Sequence, residues 1–412
     1  MRILLTGATG LLGRNILFDL LKRNLTRNEH NHIIIIGRGN QNIRLSSRIH
    51  EIIRQDGINY FGKDLSSQSL EQILSFLEFI ECDLTNEESS SLLEKKLTSI
   101  KSIDWLIHAA AFTSFQSSPI ICKHLEDTNI QGTLNLIEGT RKCSIGTACF
   151  IGSAYSCGIQ AGHIPTGFSN FCGVFRNPYE KTKLIAEKLF YNSFKRRSSV
   201  VKVVRVSTLC GRLHEKEVGA TSKFDVIYEF GSYILYRKLM NGIPFEELYE
   251  RFFDFPVSIP CNNRAGLNII PVDIAAKSII CILSNIPGND YYHVCSEKET
   301  PHSLWMKTLA KTLNVNEFKL VDKQDSVPQN KEDLIFRRLI CKIFEPYVHS
   351  AEMTFCMENS KKYVEREGLL VKSLSSNDIE RIFSYARKHY FGLLQKPSSR
   401  RLIKATPSSQ LL

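Results

Sequence analysis

The sequence predicts an α/β fold: a doubly wound parallel sheet with helices on both faces, followed by a smaller, mostly helical C-terminal region. Three observations carry this. Short apolar runs of strand type alternate with longer helical segments through the first half of the chain. The first of those runs leads straight into a glycine turn, with glycine at Gly7, Gly10 and Gly13, and then into an amphipathic helix. After Gly211 the rhythm loosens, and from Gly288 onward the pattern reads as helical.

The strands are expected, in order, at Arg2–Thr6, Ile33–Gly37, Phe79–Asp83, Trp105–Ala109, Ala148–Ser153 and Val200–Val206. Between the second and third lies a crossover of about 40 residues, with helical patterns around Ser46–Arg54 and Leu70–Leu77. Phe224–Phe255 is aromatic-rich, too charged and irregular for a membrane helix, and is expected in a substrate-side subdomain. Asn268–Asp273 then reads as a return to the main sheet. The domain plan that follows has a dinucleotide-binding domain over 1–212, a substrate-side insertion over 213–262 and a return to the first domain over 263–285. A C-terminal helical substrate region spans 286–402, and a polar tail over 403–412 is expected to be disordered.

Composition narrows the class. Hydrophobic residues make up 43% and charged residues 23% of 412 residues, a balance that lets two or three domains bury sizeable cores. The twelve cysteines include no Cys-x-x-Cys pair and no Cys/His cluster at zinc spacing. No metal site is expected, and the thiols read as small buried residues in a reducing compartment. The glycine turn at residue 7 leaves no room for a cleaved signal sequence, and no run of about 18 uncharged apolar residues could span a bilayer. The expected location is the cytoplasm, with no transmembrane segment. The net charge of +11 is spread along the chain apart from short clusters such as Lys195–Arg197. It is expected to form solvated faces rather than a nucleic-acid interface.

The glycine turn is the first candidate site. Gly7 permits the tight turn, Gly10 lets backbone N–H groups approach a pyrophosphate, and Gly13 lets the helix pack against the strand. Together with Thr9, Leu11, Leu12 and Arg14 they form the phosphate-binding segment of a Rossmann-like fold. In such a sheet the adenosine ribose lies over the end of the second strand, where a carboxylate selects NAD and an arginine accommodates NADP. Here that position reads Ile36-Gly37-Arg38, so NADPH is expected in preference to NADH. Arg14 and Arg48 are further candidates for the same phosphate. Asp83 and Leu84 are placed to meet the adenine edge. Ala109, Ala110 and Ala111 are small enough for a cofactor to lie against the backbone, and equally suited to packing.

The second candidate site is catalytic. Tyr179 and Lys183 begin a helix at i, i+4 spacing, which puts both side chains on one face. An ammonium beside a phenol is expected to lower the pKa of the phenol, bringing it towards the range useful for acid–base work. Upstream, a strand delivers Ser153, whose hydroxyl could hold a carbonyl oxygen beside the tyrosine. Asn129, in Thr-Asn-Ile-Gln-Gly-Thr, is a candidate to hold a proton-relaying water near Lys183.

With the glycine turn, the Ser153, Tyr179 and Lys183 triad and Asn129 in this order, the chain resembles an extended short-chain dehydrogenase/reductase. Finer features resemble its thioester-reducing branch, the male-sterility type. This branch includes fatty acyl-CoA reductases and the reductase domains of carboxylic acid reductases and nonribosomal peptide synthetases. Those features are the Arg38 ending, the long crossover bearing Arg48, the Ile107–Phe115 segment, Ser153-Ala154-Tyr155, Ile270–Asp273 and Tyr292-His293-Val294. The resemblance covers most of residues 1–295. Ser153 stands where many of those enzymes have threonine, which keeps the hydroxyl.

The resemblance implies NADPH-dependent reduction of an acyl thioester to an aldehyde and on to an alcohol if a second hydride follows. The acyl group would arrive on coenzyme A or on a separate acyl-carrier protein, since no carrier domain is fused to this sequence. Two other readings stay open. A nucleotide-sugar epimerase or dehydratase, or a hydroxysteroid- or flavonol-type dehydrogenase, would use the same triad. A non-catalytic NADPH-sensing protein would share the fold. The aromatic stretch Phe224–Phe255 could line an acyl tunnel or simply form core.

Overall fold

Runs of isoleucine, leucine and valine dictate the centre of the molecule. The computed structural model describes residues 1–395 except 28, 41, 63–66, 168–172, 289 and 323–326. The expected disordered tail over 403–412, and the last residues of the C-terminal region, lie outside the described residues. The main sheet has strands β1 (Arg2–Thr6), β2 (His32–Gly37), β3 (Leu77–Glu81), β4 (Ser102–His108), β5 (Ser144–Ser153), β6 (Val200–Val206) and β7 (Asp290–Val294). They lie in the order β3-β2-β1-β4-β5-β6-β7, and every neighbouring pair is parallel.

Side chains of successive strand residues enter different cores, as a two-residue period requires. Ile3, Leu5, Ile33, Ile35, Ile107, Ile151 and Val204 pack on one face. Leu4, Ile34, Ile36, Leu106, Phe150 and Val203 pack on the other. Both faces are buried, which explains why the strands read as continuous apolar runs rather than as alternating ones.

Helix α1 (Leu11–Thr26) buries Leu12, Ile16, Leu17, Phe18, Leu20 and Leu21. The long second crossover is decorated with helices as expected, beginning with α2 (Leu45–Ile52). Helices α3 (Ser89–Leu97) and α4 (Gly132–Gly139) cover the opposite face beside α5 (Pro178–Lys195). Helix α5 starts sharply: Pro178 sits in its first turn and the Asn177 side chain accepts from the Glu180 N–H at 3.1 Å.

The second half differs from expectation in one respect. Asn268–Pro271 does not rejoin the main sheet; Ile269–Pro271 pairs with Thr208–Cys210 in a separate two-stranded ladder. The return is made by β7, placed by sequence inside the C-terminal helical region. Three further short pairs stitch the remainder together: Gly162–Ile164 with Met353–Phe355, Gly266–Leu267 with Thr300–Pro301, and Ser258–Pro260 with Lys319–Val321. Helices α6 (Ile227–Met240), α7 (Val272–Asn285), α8 (His302–Leu313) and α9 (Ser376–Lys388) complete the described helices used below. Helix α7 returns to pack on α1, while α6, α8 and α9 surround a third core containing Phe230, Trp305, Phe336, Phe344 and Phe383. No described helix is long and apolar enough to cross a membrane.

Candidate active site

The strand order reverses between β1 and β4, and a crevice opens there at the carboxyl ends of the strands. Gly7 has φ of 76°, a conformation that favours glycine. A Cβ at Gly7 would stand 2.6 Å from the Ala109 carbonyl carbon, and one at Gly13 would stand 2.1 Å from the Gly7 carbonyl oxygen. The first glycine therefore lets the turn nest against β4, and the third lets α1 close onto the turn. Gly10 caps α1, whose first turn carries no acidic residue. The helix N-terminus is thus left free to face an anion.

Two cavities meet at this turn. One, of about 210 Å³, is bounded by Gly7, Thr9, Gly10, Arg38, Asp83, Leu84 and Ala109–Ala111 among others. The second, of about 410 Å³, is bounded by Gly10–Gly13, Ser153, Tyr179 and Lys183 and by aromatic residues beyond them. Gly10, Ala109 and Ala111 border both. The residues fit a dinucleotide laid across the glycine turn, its adenosine half in the smaller cavity and its nicotinamide half beside Tyr179.

At the end of β2, Arg38 is exposed and reaches Asp83 at 3.2 Å, while Arg48 donates to the Arg38 carbonyl oxygen at 2.6 Å. The sequence assigned all three to the adenosine end of the cofactor site; Arg38 and Asp83 border the smaller cavity, whereas Arg48 borders neither and is joined to it only through the Arg38 carbonyl. Burial pushes the Asp83 carboxyl up, but hydrogen bonds from Thr85 and Arg38 outweigh it and hold the group below its ordinary value. Arg14 is elsewhere. Its guanidinium donates to the Thr9 carbonyl at 2.8 Å, pairs with Asp56 at 3.4 Å, and borders neither cavity. The sequence offers Arg14 for the ribose phosphate; in the structure its guanidinium faces Thr9 and Asp56 instead. Leu84 borders the smaller cavity, with its carbonyl held by Asn135 at 2.8 Å.

In the larger cavity β5 delivers Ser153 and α5 delivers Tyr179 and Lys183, as the spacing implied. The hydroxyls of Ser153 and Thr113 stand close enough to the Tyr179 oxygen to favour its charged form. Lys183 is buried, donates to the Ile151 carbonyl at 2.7 Å and lies 4.4 Å from the centre of the Phe150 ring. Burial pulls its pKa down to about 8. Tyr179, in contrast to the sequence expectation, is pushed up to about 12: desolvation dominates, and the hydroxyls of Thr113 and Ser153 only offset part of it. The ammonium donates to the strand carbonyl rather than to the phenol.

The Asn129 side chain is held by backbone and side-chain partners. It stands on a π-helical turn, Glu126–Gln131. Its Oδ1 accepts from the Phe112 N–H at 2.8 Å, and its Nδ2 donates to the Phe112 carbonyl at 3.1 Å and to Thr182 Oγ1 at 3.1 Å. The side-chain amide clamps the loop leaving β4 to the catalytic helix. Behind it, buried His108 bridges Thr6 at 2.7 Å and Thr133 at 2.9 Å. Desolvation pushes this imidazole down to about 3, so it is neutral and structural.

The far wall of the cavity was legible in sequence only where the Phe224–Phe255 stretch supplies it. Thr208, Leu209, Val226, Phe230, His302, Trp305, Phe344, Tyr347 and Val348 all border it. Tyr347 donates to Glu180 at 2.8 Å and receives from Asn177 at 2.7 Å, joining the C-terminal region to the first turn of α5. Val226 has φ of 51°, a conformation that β-branched residues rarely adopt. Of the aromatic stretch Phe224–Phe255, the part around Val226–Phe230 reaches the cavity. Tyr228, Ile234, Leu248 and Phe255 are core. Thr113 is the one missed polar residue with a signal, since it lies within the Ala-Ala-Ala-Phe-Thr segment already singled out.

Comparisons with known proteins agree with this geometry. Over 188 residues the chain is 29% identical to a UDP-glucose 4-epimerase of Pisum sativum, a match covering 46% of each chain. The chain thus spans about half the length of the curated relatives it matches. Among solved structures, the terminal R domain of the myxalamid PKS-NRPS pathway superposes with a TM-score of 0.66 at 17% identity, over 96% of this chain and 92% of that one. The thiolation-reductase di-domain of an archaeal non-ribosomal peptide synthetase gives 0.65 at 18%, over 95% and 91%. UDP-glucuronic acid 4-epimerase from Bacillus cereus, solved with NAD, gives 0.59 at 16%, over 95% and 100%. At these identities the superpositions speak for the fold. The profile of the male sterility protein family matches residues 5–279. With that match laid over the glycine turn, the Ser-Tyr-Lys set and the parallel sheet, the chain belongs to the male sterility protein family, within the extended short-chain dehydrogenase/reductases that use a nicotinamide cofactor.

Proposed function

We propose that the protein is an NADPH-dependent reductase of an acyl thioester. The observation that carries this reading is the character of the cavity beside Tyr179. Its walls beyond the Ser153, Thr113 and Tyr179 hydroxyls are largely aromatic and aliphatic, suited to an acyl chain and poorly suited to a hydrophilic sugar. Arg38 at the end of β2, with Arg48 fixed behind it, supports NADPH over NADH as the cofactor. The likeness in fold to two reductase domains of carrier-dependent synthetases is in keeping with it.

NADPH, when bound, supplies the hydride that adds to the thioester carbonyl carbon. Ser153 and Tyr179 are placed to hold the carbonyl oxygen as it gains charge, and Tyr179, protonated at neutral pH, gives that oxygen its proton. Cleavage of the carbon–sulfur bond then leaves an aldehyde and a free thiol. Lys183 holds its positive charge one helical turn beyond the tyrosine, against the Ile151 carbonyl. The thioester is carried on coenzyme A or an acyl-carrier protein, and the free thiols of the described cysteines, most of them buried, accord with a reducing, cytoplasmic setting.

Thiol release decides the matter. Purified protein given NADPH and a long-chain acyl-CoA, or an acyl group on a carrier, should release thiol stoichiometric with the first hydride consumed. Turnover of a nucleotide sugar or a ketone with no thiol release from any thioester would replace this reading with the epimerase or dehydrogenase one, which the Pisum sativum relatives favour.

A further inference from the structure

His302 opens α8 and is only 1% exposed. It borders the same cavity as Tyr179, yet no step of the proposed reduction uses it. Its place is remote from the chemistry. Ring contacts run from Tyr179 through Phe115, Phe344, Phe230 and Trp305 before reaching His302, with successive centroids 5.3–6.2 Å apart.

The neighbour fixes the tautomer. Trp305 Nε1 can only donate, and it lies 3.3 Å from His302 Nδ1, so Nδ1 is the acceptor. Burial pulls the imidazole down to about 4, so the ring is neutral near pH 7 and its proton sits on Nε2. That N–H is buried and has no hydrogen-bond acceptor among the described residues. Buried donors are nearly always paired, and one left unpaired beside a binding cavity calls for a partner that arrives with a ligand.

We propose that His302 is a specificity-determining residue, donating from Nε2 to an acceptor oxygen carried on the acyl chain well away from the thioester. The substrate class is then an acyl chain with an in-chain keto, hydroxyl or ether oxygen, in preference to an unbroken alkyl chain. The acyl part of this statement rests on the thioester-reductase reading; the donor itself does not.

The test separates the two. The chain has two tryptophans, Trp105 and Trp305, so in a W105F background the fluorescence of Trp305 reports on this end of the cavity. Fatty amides of equal length, one plain and a set with a keto oxygen at successive positions, are titrated into the cofactor-free full chain. At one keto position binding should be about three- to tenfold tighter than for the plain amide. That advantage should vanish in H302F and return in part in H302Q, whose amide restores a donor near the Nε2 position. Equal affinity of the wild-type site for the plain amide and for every keto amide overturns the proposal, whether or not the variants fold. Since amides release no thiol, oxygen selectivity without thiol release from any thioester would uphold the donor and remove the thioester reading.

Discussion

Lys183 donates to the Ile151 carbonyl oxygen at 2.7 Å, which fastens the start of the catalytic helix to the strand that ends in Ser153. The relative position of Ser153, Tyr179 and Lys183 is therefore set by a buried contact between helix and sheet. The same burial costs the ammonium part of its stability, and this gives the site a pH dependence.

Lys183 is drawn down to about 8 because burial favours the neutral amine, so its charge is complete below that pH and lost above it. Reduction, followed as kcat/KM against pH, should be level up to about 8 and then fall by about tenfold per unit. Lys183→Arg should retain its charge and abolish that limb. A profile that is flat through the same range in the unsubstituted protein would separate Lys183 from turnover.

Tyr179→Phe removes the acid hydroxyl and leaves the ring against Phe115, whose centroid lies 6.2 Å away. Turnover should drop by about a hundredfold or more while NADPH affinity stays nearly unchanged. Single-turnover rates and cofactor titration measure the two separately. Residual activity above about a tenth of the original would place the proton donor elsewhere.

If Arg38 binds the NADPH phosphate as proposed, Arg38→Asp exchanges that partner for a ribose-hydroxyl acceptor and sets it beside Asp83, which Arg38 now pairs at 3.2 Å. KM for NADPH should rise by about ten- to a hundredfold while NADH becomes the better cofactor. An unchanged preference would assign the phosphate to Arg48, which stands behind the Arg38 carbonyl.

Asn129→Ala cuts three hydrogen bonds and strands the Phe112 N–H beside the catalytic helix. Unfolding in urea should show a loss of about 1–3 kcal/mol. Because the clamp positions the loop bearing Thr113, kcat should fall more than KM rises. A water-relay role would instead lower kcat with no loss of stability.

Gly13→Ala would drive a Cβ to 2.1 Å from the Gly7 oxygen, so turn and helix must part. Cofactor affinity should fall steeply, read by NADPH fluorescence, whereas the same change at exposed Gly62, where nothing stands within 4 Å, should leave it intact.

By itself the sequence determined what is local. A strand followed by glycines at fixed spacing admits one turn, because φ of 76° at Gly7 and the tight closure at Gly13 suit no other residue. The strands β1 to β6 were legible because strands buried on both faces need unbroken apolar runs, and the i, i+4 spacing of Tyr179 and Lys183 follows from helical geometry alone. Only the tertiary structure decided where the chain returns to the sheet, since β7 is a short strand reached after a long excursion whose pairing with β6 has no local signature. It also paired Arg38 with Asp83, set Arg48 against the Arg38 carbonyl and turned Arg14 inward to Asp56. The far wall from Phe230 to Tyr347 belongs to elements distant in sequence, so which aromatic faces the cavity and which fills the core depends on packing. The ionisation of Tyr179 and Lys183 went the same way. Spacing brings a phenol and an ammonium onto one helix face, but desolvation and the Ile151 carbonyl, both long-range consequences of the fold, set how tightly each holds its proton.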